Sequence, residues 1–255
     1  MTANTEKELI LITGGTNGVG LETVIYIASA SPKYHIIIGA RNLSKGEKVH
    51  KDVQARPGIQ GTVSVVQLDA TDDASIQAAA KKVEHDFGRL DVLINNAGIC
   101  PERDGQWPDR KVLQDTFETN VFGPAIVTQA FIPVLKKSSS PRLVNVTSIM
   151  ASISSISDHS LPYSGARYPG YRMSKAALNM LTAYQYFQLK SEGFKVWAFC
   201  PGYVASDIGG DKEERIKQGV DSTETSAKGL LEIVEGQRDE HVGCFIGRNG
   251  AKYEW

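Results

Sequence analysis

The sequence is short of cysteine and carries almost no net charge. Its 255 residues include three cysteines, an odd number without Cys-x-x-Cys spacing, which argues against a disulfide framework and a structural zinc site. The five histidines are scattered without ligand spacing, so no metal site is expected. Lys and Arg number 28 against 29 Asp and Glu. Because nucleic-acid binders carry a basic excess or stripe, nucleic acid is not an expected partner.

Long apolar runs are also missing. The sequence contains no apolar stretch of about 18 residues, so no membrane partner is expected. The first nine residues are polar and lack the apolar run of a signal peptide. We therefore expect a soluble, cytoplasmic protein. With 41% apolar residues the chain can bury a full core, and its length suits a single domain, 1–255.

A short apolar run, Leu9–Ile12, predicts a parallel strand that is buried on both faces. It is followed by a glycine-rich turn, Gly14-x-x-x-Gly18-x-Gly20, and then by a helical pattern over 21–30. This order forms the phosphate-binding corner of a dinucleotide fold, because the glycines let the backbone approach a pyrophosphate and the helix N-terminus supplies free N–H groups. The alternative is a tight turn that binds nothing.

Strand and helix patterns alternate along the rest of the chain. The further strand patterns are 35–42 with the loop that leaves the strand, 63–68, 90–94, 142–147, 194–199 and 243–247. The helical patterns are 75–87, 111–137, the helix around 171–175, and 225–235. This alternation predicts an α/β fold with a doubly wound, mostly parallel sheet of about seven strands and helices on both faces.

The end of the second strand bears on the choice of coenzyme. In dinucleotide folds, the residue about 20 positions after the glycine turn meets the adenosine ribose. An acid there binds the 2′-OH of NAD, and a base accommodates the 2′-phosphate of NADP. Between Ile36 and Asn42 there is no acid, but there is Arg41. The pattern predicts NADP(H); the alternative is that Arg41 merely extends into solvent at a strand end.

Polar residues stand at the ends of three further strands. Asp69 could accept a hydrogen bond from an adenine amino group, or could cap the next helix. In Asn95-Asn96-Ala97-Gly98 the small residues let the chain pass close to a cofactor, and the amides can tie neighbouring strands together. Ser148 stands at the carboxyl edge of the fifth strand, where ligands of open α/β sheets lie.

The helical stretch 111–137 contains residues that disfavour a regular helix. Pro124 and Pro133 are expected to bend it locally. Asn120 lies in its middle, where asparagine is unfavourable by propensity, so this residue needs a specific reason to be there.

Tyr171 and Lys175 are four residues apart and therefore share a helix face. A nearby cation favours the phenolate, so we expect Lys175 to lower the pKa of Tyr171 toward working pH. Such a phenol can exchange a proton with a substrate oxygen. The pair alone is weak evidence, because most such pairs on surface helices are only solvated; the motifs upstream give it weight.

In this order, the motifs resemble those of the short-chain dehydrogenases/reductases. The resemblance covers nearly the whole chain and rests on Thr13-Gly14-x-x-x-Gly18-x-Gly20, Asp69, Asn95-Asn96-Ala97-Gly98, Asn120, Ser148, Tyr171-x-x-x-Lys175 and Pro201-Gly202. It implies a Rossmann-like domain and an NADP(H)-dependent oxidoreductase acting on a ketone, aldehyde or secondary alcohol. It also implies a homodimer or homotetramer formed through the helices that carry Asn120 and Tyr171.

The resemblance implies roles for four catalytic residues. Tyr171 is the general acid in carbonyl reduction, or the base in the reverse direction, and Ser148 orients and polarises the substrate oxygen. Lys175 holds the nicotinamide ribose and tunes Tyr171. Asn120 positions a water that connects Lys175 to solvent.

The resemblance also implies a set of cofactor-binding residues. The pyrophosphate and adenosine side would meet Gly14, Thr16, Asn17, Gly18 and Val19; adenine would meet Asp69 and Ala70, its ribose Asn96, and the nicotinamide carboxamide Val204 and Ser206. The set is completed by Arg41, Asn42, Ala97, Gly98, Pro201 and Gly202, together with Tyr171 and Lys175.

The chain departs from the family pattern in a few places. The interval between Ser148 and Tyr171 is longer than usual and predicts either a flap over the substrate pocket, near 149–169, or a plain surface loop. Its Tyr163 and Tyr168 lack a lysine four residues on, which leaves Tyr171 as the choice. Ser206 replaces the more usual threonine and keeps the hydroxyl. Asn17 stands where many NADP-using members carry a base, so the phosphate preference rests mainly on residue 41.

Residues 206–224 are charged and contain glycine, as expected of a mobile lid. The lid, residues 149–169 and residues 100–107 would line the pocket, and their mixed side chains indicate a bulky, partly apolar substrate. Two alternatives remain open: a non-redox regulator or binding protein that keeps the fold and the cofactor site, and an NAD-linked alcohol dehydrogenase.

Overall fold

The computed structural model describes residues 7–102, 105–158, 165–208, 210 and 212–255. The strands are β1 (Glu8–Thr13), β2 (Tyr34–Ala40), β3 (Thr62–Gln67), β4 (Val92–Asn95), β5 (Arg142–Val146), β6 (Lys195–Cys200) and β7 (Phe245–Gly247). The α-helices are α1 (Gly18–Ala30), α2 (Leu43–Gln54), α3 (Asp73–Phe87), α4 (Arg110–Phe117), α5 (Gly123–Leu135), α6 (Ile153–Ser157), α7 (Pro169–Leu189), α8 (Lys212–Lys217) and α9 (Glu224–Val234).

The strands form one sheet in the order β3-β2-β1-β4-β5-β6-β7, and every neighbouring pair is parallel. The predicted doubly wound parallel sheet is confirmed. Strand order reverses between β1 and β4, and a crevice for ligands opens at the carboxyl ends of the strands at such a point.

The core lies on both faces of this sheet, which explains the wholly apolar composition of β1. Ile10 and Ile12 belong to the apolar cluster that includes Val24 of α1. Leu9 and Leu11 point to the opposite face and belong to the cluster that includes Phe131 of α5. All six side chains have zero exposure. The middle of the sheet is therefore rigid, and it carries the polar residues at its carboxyl edge.

The long helical stretch predicted over 111–137 is interrupted. Helix α4 is followed by a π-helical turn, Glu118–Phe122, and then by α5. Pro124 lies in the first turn of α5, directly after the π-helical turn, and the bend predicted at that residue stays a prediction. Pro133 lies inside α5, as predicted. The interruption centres on Asn120, which the π-helical turn places in the interior.

Helix α7 is held against the sheet by polar contacts. Asn95 Nδ2 donates to Asn145 Oδ1 over 2.9 Å, which confirms that asparagine amides tie β4 to β5. Asn145 Nδ2 in turn donates to Thr182 Oγ1 over 2.9 Å and to Gln185 Oε1 over 2.7 Å on α7. These buried hydrogen bonds fix α7 over β5, and Asn95 Oδ1 is left without a partner among the described residues.

The flap and lid regions are described in part. After β5, the chain forms a 3₁₀ turn, Ile149–Ala151, and the short helix α6; residues 159–164, with Tyr163, lie outside the described residues. Helix α8 lies within 206–224, where 209 and 211 are not described. A flap and a lid remain predictions. Among the described helices, none is long and apolar enough to cross a bilayer.

Candidate active site

A cleft of about 1010 Å³ opens at the carboxyl edge of the sheet. It is lined by every residue that the sequence assigned to catalysis or cofactor binding except Asn120. The set spans the chain from Gly14 to Ser206, and the fold brings it together because the ends of parallel strands meet at one edge.

The glycine turn at the end of β1 leaves room for a ligand beside the backbone. Gly14 has φ 65° and Gly18 has φ 52°, conformations that side chains rarely adopt. A Cβ on Gly20 would lie only 2.4 Å from Asn96 Nδ2. Asn17 occupies the N-cap of α1, yet among the described residues its side chain makes no capping hydrogen bond. The first N–H groups of α1 are thus open to an anion, and the turn fits a dinucleotide pyrophosphate.

Thr13 fastens the segment after β4 to this turn. Its Oγ1 accepts the backbone N–H groups of Asn96 and Ala97, both over 3.0 Å. Asn96 Nδ2 donates back to the Thr13 carbonyl over 2.9 Å. The Asn96 amide therefore braces the glycine turn, and its contact with a ribose stays a prediction.

Two bases lie on the rim of the cleft near the end of β2. Arg41 and Lys45 both line the cleft, and no ion pair involves either of them among the described residues. Asn42 caps α2 by accepting the N–H of Lys45 over 2.9 Å. Sequence reasoning missed Lys45, although its position four residues after Arg41 could have indicated it.

Asp69 orders the turn at the end of β3. Its Oδ1 accepts the N–H and the hydroxyl of Thr71 over 3.0 and 2.8 Å. Helix α3 is capped by Asp72 instead, so Asp69 is not the helix cap that the sequence left as an alternative. Its contact with adenine stays a prediction.

Tyr171, Lys175 and Ser148 meet where β5 and α7 approach. Lys175 Nζ donates over 2.9 Å to the carbonyl of Val146, the last residue of the buried strand β5. The same Nζ lies 5.7 Å from the centroid of the Tyr171 ring. The Ser148 hydroxyl is near enough to the Tyr171 phenol to favour its ionised form through hydrogen bonding. The predicted convergence of these three side chains is present.

Burial governs the ionisation of Tyr171 and Lys175. It raises the pKa of the Tyr171 phenol above its usual value, with smaller contributions from Cys100 and Cys200, and the hydrogen bond with Ser148 acts in the opposite direction. The prediction that Lys175 lowers the pKa of Tyr171 is therefore wrong. Burial also lowers the pKa of Lys175 to about 8, so its positive charge is itself disfavoured.

Asn120 is fully buried behind the cleft, and its carboxamide bonds to protein on both sides. Its Oδ1 accepts the Ile99 N–H over 2.8 Å, while Nδ2 donates to the Ile99 carbonyl over 2.9 Å and to Ser174 Oγ over 3.0 Å. These contacts give the reason for an asparagine inside a helical stretch. The water that the resemblance assigns to Asn120 stays a prediction.

Several side chains that sequence reasoning missed hold the backbone around the site. Glu102 accepts two N–H groups at the start of α7. Arg172 donates to the carbonyls of Met150 and Ala166, both over 3.0 Å. Cys200 Sγ accepts the Ile149 N–H over 3.1 Å. Apart from the Ala166 carbonyl, which is six residues from Arg172, their partners are backbone groups distant in the sequence, so no motif or spacing could have pointed to these contacts.

Comparisons with known proteins agree with this geometry. The family model described as short chain dehydrogenase matches residues 8–217. A protein named short-chain dehydrogenase anuI, from Penicillium roqueforti, is 37% identical over 245 residues, 94% of each chain. Short-chain dehydrogenase/reductase tropE, from Talaromyces stipitatus, is 31% identical over 263 residues, 96% of this chain and 97% of its own.

Among solved structures, the crystal structure of NADPH-bound carbonyl reductase from chicken fatty liver is similar, with a TM-score of 0.84 and 28% identity. The alignment covers 98% of this chain and 100% of that chain.

Replacement of Lys175 by methionine tests the burial of its ammonium. The pKa of this group is lowered in the folded state, so the unfolded chain binds the proton more tightly, and the folded state loses stability as pH falls from about 10.5 to about 8 and keeps that full loss at lower pH. Lys175→Met should raise the free energy of unfolding at pH 7 by about 1–3 kcal/mol. The gain should shrink as pH rises from about 8 toward 10.5.

Urea unfolding of the wild type and the variant at pH 7 and pH 10 measures this difference, with Lys81→Met as a control at an exposed lysine. A variant less stable than the wild type at pH 7, by an amount independent of pH, would contradict the account.

Proposed function

The chain belongs to the short-chain dehydrogenase/reductase family, and we propose that it is an NADP(H)-dependent oxidoreductase that interconverts a ketone or aldehyde and the corresponding alcohol. The observation that carries the proposal is the placement of Tyr171 and Ser148 next to the buried Lys175, inside a cleft that fits a dinucleotide. The nicotinamide coenzyme supplies or accepts the hydride when it is bound.

The two hydroxyl groups suit the charge that develops during reduction. A carbonyl oxygen gains negative charge as its carbon accepts hydride, and donors aimed at that oxygen stabilise it. Ser148 offers one hydroxyl donor and Tyr171 offers a proton. Because burial holds the pKa of Tyr171 above its usual value, the phenol stays protonated at neutral pH, which favours the role of acid in the direction of reduction.

Three observations support a phosphorylated coenzyme. Arg41 and Lys45 stand together at the adenosine end of the cleft. The loop that leaves β2 has no carboxylate to bind a free 2′-OH. The structural neighbour from chicken liver is described as NADPH-bound. An NAD-linked alcohol dehydrogenase is the alternative.

The other end of the cleft indicates a bulky, partly apolar substrate. Ile99, Met150, Tyr168 and Tyr203 line it with mixed aliphatic and aromatic surface. A regulator that only binds the coenzyme would have no need of the full set at 120, 148, 171 and 175, so we favour the enzyme. A cytoplasmic location remains a prediction.

The outer face of α7 supports a homodimer. This helix buries polar residues toward the sheet edge and exposes Met173, Met180, Tyr184 and Phe187, with 45–71% of each exposed. Their spacing places all four on one side of the helix. An apolar stripe of this kind marks an interaction surface. We propose that it packs against the same stripe of a second copy.

Removal of the phenolic hydroxyl tests the catalytic role of Tyr171. Tyr171→Phe should lower kcat by about 10²–10⁴-fold, because general acid catalysis is lost, while NADPH still binds. The measurement is NADPH oxidation across a panel of aldehydes, ketones and quinones, with NADPH affinity followed by fluorescence. Tyr184→Phe, which removes an exposed hydroxyl from the same helix, is the control. Undiminished hydride transfer in Tyr171→Phe would exclude the mechanism.

Replacement of the two bases tests the coenzyme preference. The double variant Arg41→Ala and Lys45→Ala should raise KM for NADPH by about 10- to 100-fold, as expected for the loss of charged hydrogen bonds, and should leave KM for NADH nearly unchanged. Lys48→Ala, an exposed lysine on α2 outside the cleft, is the matched control. If the ratio of NADPH to NADH turnover does not move in the double variant, the assignment of NADP(H) fails.

A charge in the apolar stripe tests the homodimer. Phe187→Glu should shift the protein from dimer to monomer, since two carboxylates would face each other in an isologous interface. Light scattering coupled to size-exclusion chromatography gives the mass. Gln77→Glu makes a similar change in charge on α3 and should leave the mass at that of a dimer. A wild type that is monomeric at all concentrations would exclude the interface.

A further inference from the structure

Glu102 lies in the segment that follows β4, yet its carboxylate reaches the start of α7. Its Oε1 accepts the N–H of Gly170 over 2.7 Å, and its Oε2 accepts the N–H of Tyr171 over 2.9 Å. Only 9% of the residue is exposed. A carboxylate is favoured there, because the first N–H groups of a helix have no partner within the helix and carry a partial positive charge.

Position 170 is shaped for this contact. A Cβ on Gly170 would lie 2.5 Å from Glu102 Oε1 and 3.0 Å from Leu113 Cδ2. Any larger residue would push the carboxylate away from the helix. The glycine and the glutamate therefore form one unit, although they are 68 residues apart in the sequence.

The backbone carbonyl of Tyr171 is also connected to the segment that follows β4, through the side chains of Ser174 and Asn120. Ser174 Oγ donates to the Tyr171 carbonyl over 2.8 Å and accepts from Asn120 Nδ2 over 3.0 Å. Asn120 in turn bonds to both backbone groups of Ile99. The backbone of Tyr171 is thus connected at its N–H to Glu102 and at its carbonyl, through two side chains, to Ile99.

Segment 99–102 also borders the cleft. Ile99 and Cys100 line it, and Cys100 is two residues from Glu102 in the sequence. A substrate seated against this part of the cleft would therefore touch the segment that holds the tyrosine in place.

We propose that Glu102 is a positioning residue, which fixes the first turn of α7 so that the Tyr171 phenol meets Ser148 and couples that geometry to the substrate-lining segment 99–102. The inference rests on the proposed function, because the role of Tyr171 is part of it. The competing explanation is that Glu102 is only a helix cap, whose loss would weaken the fold without changing the chemistry.

Two variants disturb the contact in different ways. Glu102→Gln keeps the size but turns one acceptor oxygen into an amino group, which would face an N–H donor. Gly170→Ala displaces the carboxylate and at the same time introduces a residue with a higher helix propensity. Loss of activity in Gly170→Ala without loss of thermal stability would separate positioning from folding. Asp72→Asn alters the carboxylate that caps α3 outside the cleft, and it is the matched control for capping.

Two measurements are made on each protein. Steady-state kinetics use NADPH with 4-nitrobenzaldehyde and phenanthrene-9,10-quinone as probes, over a range of pH. Hydrogen exchange is followed at the amides of Gly170 and Tyr171, which reports on the contact whether or not the protein is active. We expect faster exchange at these two amides in both variants, with the rest of α7 unchanged.

We also expect kcat to fall by about 10- to 100-fold in Glu102→Gln and Gly170→Ala, as misplacement of a catalytic group by about 1 Å would cause. The pH dependence of kcat should shift, KM for NADPH should stay at the wild-type value, and Glu102→Asp should retain more activity than Glu102→Gln. Asp72→Asn should keep the wild-type kcat.

If both variants keep the wild-type kcat and pH profile although the two amides exchange faster, the inference is overturned and the proposed function is not affected. A loss of kcat that only follows thermal stability, equally in Asp72→Asn, would also overturn it in favour of a helix cap. A wild type that oxidises NADPH with none of the carbonyl panel would instead defeat the proposed function, and the inference with it.

Discussion

The site depends on a buried ammonium group that needs an acceptor. Lys175 is 4% exposed and donates to the Val146 carbonyl at the end of β5. An unpaired charge would be costly in this position, so the bond fixes the register of α7 against the sheet. Tyr171 lies one helical turn earlier on the same face and is thereby placed beside Ser148, which follows β5. The lowered pKa of Lys175 shows that this arrangement opposes stability, as expected where a protein keeps a charged group for function.

The same constraint explains the unusual character of α7. Its inner face must satisfy polar groups at the sheet edge, and it does so with Thr182 and Gln185 on Asn145. Although Leu178 and Leu189 of this helix are buried, other large apolar residues, among them Met180 and Phe187, lie on its outer face. This exposed apolar surface is the one that the proposed homodimer would cover.

Much of the fold and the site was predictable because both follow from local patterns. The buried apolar run Leu9–Ile12, the glycine turn and the tyrosine–lysine spacing each correspond to a local rule, and the parallel sheet then brings strand ends together. The predictions that failed concern properties that depend on the surroundings of a residue in the folded protein. The pKa of Tyr171 moves opposite to the expected direction because burial outweighs the neighbouring cation. The π-helical turn that contains Asn120 was not predicted, because no local sequence rule indicates it. Glu102 has backbone partners far along the chain, which no spacing reveals.

The most direct test of the account follows the hydride itself. NADPH carrying deuterium at either the pro-R or the pro-S position of the nicotinamide C4 would be incubated with the protein and the aldehyde or ketone that is reduced fastest, and the alcohol analysed by mass spectrometry. The account predicts that one of the two labelled coenzymes transfers its deuterium to the carbinol carbon and that the other transfers none, since a fixed cleft presents one face. Alcohol that contains no deuterium from either coenzyme, or NADPH that is consumed without formation of alcohol, would contradict it.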